Sequence, residues 1–128
     1  MESVIIAAPA ECDLKLRSRL EQLGPISTGA GGEWIVDNGK SRVYVARNQS
    51  VNHELEPERL AVFTSKIATP VFYSIDFSDI VLCKKVMIAI VDDPELLVDN
   101  DHGVLLSGAD FVRVLRSQAE WDWRTEGG

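Results

Sequence analysis

The hydrophobic pattern of this chain changes period repeatedly, and that alternation restricts it to folds in which helices pack on a sheet. Val4-Ile5-Ile6-Ala7-Ala8 is a short apolar run ended by Pro9, which predicts a buried strand. From Glu11 the spacing becomes helical, with Leu16, Leu20 and Leu23 recurring until Gly24-Pro25 signals a stop. Ser27 to Gly32 predicts a flexible loop. Glu33 to Ala46 predicts a hairpin, in which Asn38-Gly39 supplies the positive φ angles of a tight turn. Asn48 to His53 is expected to be polar loop. Pro57 then suits the first turn of a helix carrying Leu60, Phe63 and Ile67 on one stripe and ending by Pro70.

The second half repeats this order. Val71 to Phe77 is rich in aromatic and β-branched residues and predicts a strand. Ser78 is the expected N-cap of the next helix, with Asp79 in its first turn. Ile80 to Val91 has enough β-branched residues to suit strands too. Helical spacing, however, sets Lys84 and Lys85 opposite Leu82, Cys83, Val86 and Ile90, so a largely buried helix is expected. Leu96-Leu97-Val98 and Val104-Leu105-Leu106 pair across the turn Asp99 to Gly103. Ser107, with Asp110 three residues on, starts a last helix with an apolar stripe of Phe111, Val114 and Leu115. The order is strand, helix, hairpin, helix, then the same again. Val36-Asp37-Asn38-Gly39 and Val98-Asp99-Asn100 fall at the same point of each half, although Asp-Asn-Gly also recurs in hairpins for local reasons. The expected fold is therefore α+β: one domain over 1–124, with a mostly antiparallel sheet of about six strands and packed helices, and a frayed tail over 125–128. Internal duplication as two β-α-β-β-α units stays open at this point.

Apolar residues make up 45% of the 128-residue chain and charged ones 26%, enough to offset the entropy of ordering without a metal or disulfide staple. The 13 Lys+Arg against 20 Asp+Glu leave a net charge of −7, which argues against direct nucleic-acid binding. Cys12 and Cys83 form no CxxC pair and are expected to be buried small hydrophobes in a reducing compartment. The N-terminus lacks a basic n-region, and the longest apolar run is far too short for a membrane span, so the cytoplasm is the expected location.

Catalytic motifs are missing: no GxSxG, Walker loop, HExxH or GxGxxG occurs. His53 and His102 lie in expected loops, where surface histidines are common. Asp99, Asp101 and Asp110 superficially match a calcium loop, but the glycine arrives one position early and the last ligand is Asp in place of a bidentate Glu. No enzyme activity, cofactor or metal is expected.

Charge distribution says more. Between residues 91 and 110 lie Asp92, Asp93, Glu95, Asp99, Asp101 and Asp110, with no Lys or Arg. Such a run serves solubility, caps and turns, or it forms a patch for a basic partner. Trp121 and Trp123 carry a similar choice between clasping the tail onto the sheet and anchoring an interface.

The stretches Phe72 to Asp79 and Val98 to Gly103, with Ser107-Gly108 and Phe111-Val112, are similar to those of small bacterial proteins resembling immunity proteins of polymorphic toxins, delivered by contact-dependent inhibition or type VI secretion. The resemblance covers roughly residues 70–124. It implies a small, non-catalytic protein that neutralises a cognate toxin, with acidity suited to a basic, nuclease-like one. The expected partner-binding residues are Asp92, Asp93, Glu95, Asp99, Asp101, His102, Trp121 and Trp123. The alternative is a regulatory or ligand-binding domain on a ferredoxin-like sheet.

Overall fold

The computed structural model describes residues 2–100, 105–118 and 120–123. Along the chain run β1 (Glu2–Ala8), α1 (Asp13–Glu21), β2 (Ser27–Thr28), β3 (Trp34–Asp37), β4 (Arg42–Arg47), the single turn α2 (Val51–Glu54) and α3 (Pro57–Lys66). These are followed by β5 (Val71–Phe77), α4 (Ile80–Ile90), β6 (Leu97–Asp99), β7 (Leu105–Ser107) and α5 (Gly108–Ser117). The strands form one seven-stranded antiparallel sheet, ordered β2-β3-β4-β5-β1-β6-β7. The fold is α+β as expected, with seven strands and not six. The extra strand is β2, in the segment expected to be loop. Its Ser27 and Thr28 have no strand-like alternation, and pairing with Ile35 and Trp34 makes them a strand.

Alternation along the strands sorts the sheet into two faces. Val4, Ile6, Val43, Val45, Tyr73, Ile75, Phe77 and Val98 belong to the main core, with Leu16 and Leu20 of α1, Cys83, Val86 and Ile90 of α4, and Phe111 and Leu115 of α5. A smaller core joins Ala7, Phe72 and Leu97 on the opposite face to Val51, Phe63 and Ile67. Because α3 lies on one face and α5 on the other, the repeated element order is not a repeated arrangement. The hairpins differ as well: β4, the second strand of its hairpin, pairs with β5, whereas β6, the first strand of its own, pairs with β1.

Local chemistry explains most boundaries. Helix α4 starts at Ile80 as expected, but Asp79, not Ser78, is its cap, and its carboxylate accepts from the N–H of Val81 at 2.9 Å. Ser107 caps α5 as expected, its Oγ accepting from the N–H of Asp110 at 3.1 Å. The β3–β4 loop is a four-residue link in which Asp37 pairs with Arg42, and Gly39 alone takes positive φ, at 89°. The expected polar loop over 48–53 instead enters α2, whose Val51 is 2% exposed. Leu23, counted in the first helical stripe, lies beyond α1 and is 43% exposed.

Candidate partner-binding surface

Helix α3 overhangs the sheet near its β7 end. Phe63 reaches down to meet Phe72 edge-on, with ring centroids 5.4 Å apart, while Ile67 packs in the same cluster. Beyond that contact the helix and sheet part, leaving a groove of about 980 Å³. Leu97 and Leu105 line its sheet side, Val62 and Ile67 its helix side, and Pro9 and Pro94 also contribute. Its charged lining is Glu95, Asp110 and Lys66. A mostly apolar cleft with few polar groups is the usual form of a binding site.

The acidic segment that runs past this groove divides by burial. Asp93 is 7% exposed and accepts from Lys15 Nζ and Arg19 Nη2, each at 3.0 Å, and from the N–H of Glu95 at 2.9 Å. Burial works to raise its pKa, but the Glu95 N–H and the Arg19 and Lys15 side chains outweigh it and hold the carboxyl below its ordinary range. Asp99 is 4% exposed, with Oδ2 at 2.7 Å from Arg59 Nη2 and 2.9 Å from its Nε. The charges of Asp93 and Asp99 thus serve the chain's own interior. Asp92 stays at the surface, 3.4 Å from Arg116 Nη1, and Asp110 contacts Arg113. Glu95 is exposed on the rim of the groove. Asp101 and His102 lie outside the described residues.

Trp121 and Trp123 are 2% and 1% exposed. Both rings stand against Phe111, at 5.2 and 5.3 Å between centroids, and Trp123 also meets Phe77 at 5.7 Å. Asn100, wholly buried, donates from Nδ2 to the Trp123 carbonyl at 2.5 Å. The pair clasps residues 121–123 onto the core.

Groups that could carry other chemistry are scattered. Cys12 and Cys83 are both buried, and burial pushes the Cys12 thiol up, away from the reactive thiolate. His53 is exposed on α2. Among the described residues, no three His, Cys, Asp or Glu side chains gather as metal ligands. A smaller cavity of about 310 Å³ lies beside α1, where the Tyr73 hydroxyl donates to Asp13 and Arg47 Nη1 stands 3.5 Å from the same carboxylate. No described helix is long and apolar enough to cross a membrane.

Sequence reasoning missed Val62, Lys66 and Leu105 as groove residues. A signal for Val62 was present: Leu60, Ala61, Val62 and Phe63 are consecutive and cover more of the helix circumference than one buried stripe requires, leaving Val62 39% exposed. No protein-family model, curated protein or solved structure matches this chain.

Proposed function

We propose that this protein is an immunity protein, which binds a cognate bacterial toxin domain and neutralises it by covering its surface, without chemistry of its own. The observation that carries this reading is the groove between α3 and β7, mostly apolar, with Glu95 and Asp110 of the acidic segment and Lys66 as its charged lining. Two further features support it. The net charge is −7, so the surplus charge is acidic. Complementary charge speeds association with a basic domain such as a nuclease and selects against other partners. The resemblance of residues 70–124 to immunity proteins points the same way.

The test is co-expression with a toxin-like domain encoded beside this chain's gene. Restored growth and a copurified complex are expected. A chain that binds no such domain, but purifies with a bound small molecule, overturns the reading in favour of a regulatory domain.

A further inference from the structure

We infer that the outer edge of β7 receives an extended segment of a basic protein partner as an added strand, with apolar and basic side chains alternating along that segment. The inference rests on the inhibitor reading for the partner's class, and on the geometry of β7 for the mode of binding.

Strand β7 ends the sheet, and among the described residues no strand lies beyond it. The direction of its backbone groups follows from register. Gly108 donates its N–H to the Leu96 carbonyl at 2.8 Å, toward β6. Backbone groups alternate sides along a strand, so Leu106, which pairs with Val98, also turns toward β6. Leu105 therefore directs its N–H and C=O outward, and Ser107 directs its N–H the same way. These are the groups through which an incoming strand is held.

The groove supplies what the bare edge lacks. Leu105 lies on the sheet face that α3 overhangs, with Val62 and Ile67 across the gap, so a side chain entering there meets apolar surface. Leu106 lies on the other face, that of α5, whose first turn brings Asp110, paired with Arg113, to the edge of the groove. Side chains of an added strand alternate between these two faces, which is why an apolar and basic alternation fits. Glu95 adds a second negative charge, and Lys66 is the cation that opposes the fit.

The experiment uses the full chain and a blocked synthetic peptide of alternating lysine and valine, with an alternating glutamate and valine peptide as control. Saturable binding of the lysine peptide is expected, with slowed hydrogen exchange at the amides of Leu105 and Ser107 and none gained at Leu106. Lys66→Glu should tighten binding, and Asp110→Asn weaken it, each by about two- to fivefold, the range of an exposed ion pair. Exchange unchanged at Leu105 and Ser107 overturns strand addition, and equal binding of the glutamate peptide overturns the basic partner. Those outcomes leave the growth test of the inhibitor reading untouched, because protection there does not depend on where the toxin docks.

Discussion

Asp93 shows how a residue can look like surface charge in the sequence and act as a joint in the fold. It ties α1, through Lys15 and Arg19, to the turn that leads into β6, while its backbone carbonyl accepts from the N–H of Ala109 at 3.2 Å. Asp93→Asn keeps the shape and removes the charge, and should cost about 1.5–3 kcal/mol, as hydrogen bonds to charged groups do. Urea unfolding checks it, as a lower midpoint with the slope unchanged. The sign of the pH effect follows from the lowered pKa. Stability from the ionised carboxylate is fully present above the unfolded chain's carboxylate pKa and is lost as pH falls through the lower folded value. The acid limb of the wild-type stability curve should therefore be steeper than that of Asp93→Asn. Gly108 is the other residue on which this corner depends. A Cβ there would stand 1.9 Å from the Val91 carbonyl oxygen and 2.8 Å from that of Asp93, both backbone atoms that cannot swing aside. Gly108→Ala should destabilise by about 1–3 kcal/mol, the usual cost of overpacking, read as a drop in melting temperature.

At the scale of elements, caps and periodicity did most of the specifying. The Asp79 carboxylate closes the start of α4, and Asp79→Ala should cost about 1 kcal/mol by thermal or urea melts. The character of α4 itself was legible in spite of its β-branched residues, because Lys84 and Lys85 fall together on one side of a helix and would fall on opposite faces of a strand. The hairpins and β5 were legible for the same local reason. What escaped was whatever depends on a distant partner. Ser27-Thr28 is a strand only beside β3, and no local signal marks it. Asp37 and Asp99 occupy equivalent points of their hairpins and look alike in sequence. Asp37 is exposed and bonds the N–H of Gly39 and the side chain of Arg42, five residues away, whereas Asp99 is buried against Arg59, forty residues away. The acidic segment was visible as charge, but the division between its buried and exposed members was not, because burial depends on where α1 and α3 fall.

For the whole molecule, that division decides how the partner surface must be tested. Neutralising every acid of the segment would confuse two effects, since Asp93 and Asp99 lose internal ion pairs before any partner arrives. Each such loss costs about 1.5–3 kcal/mol, a large share of a marginal domain's stability. Asp92, Glu95 and Asp110 avoid this difficulty. Glu95 is exposed on the rim of the groove, and the other two pair with exposed arginines, at a strength of about 0–1 kcal/mol. A variant carrying Asp92→Asn, Glu95→Gln and Asp110→Asn should therefore melt close to the wild type. Rim charges act chiefly on encounter, so its association with a basic toxin domain should slow and lose much of its salt dependence, with dissociation little changed. Rates measured at low and high salt check this. Unchanged association at both, in a variant with a native melt, would mean that the partner docks away from the groove and that these acids only solvate the surface.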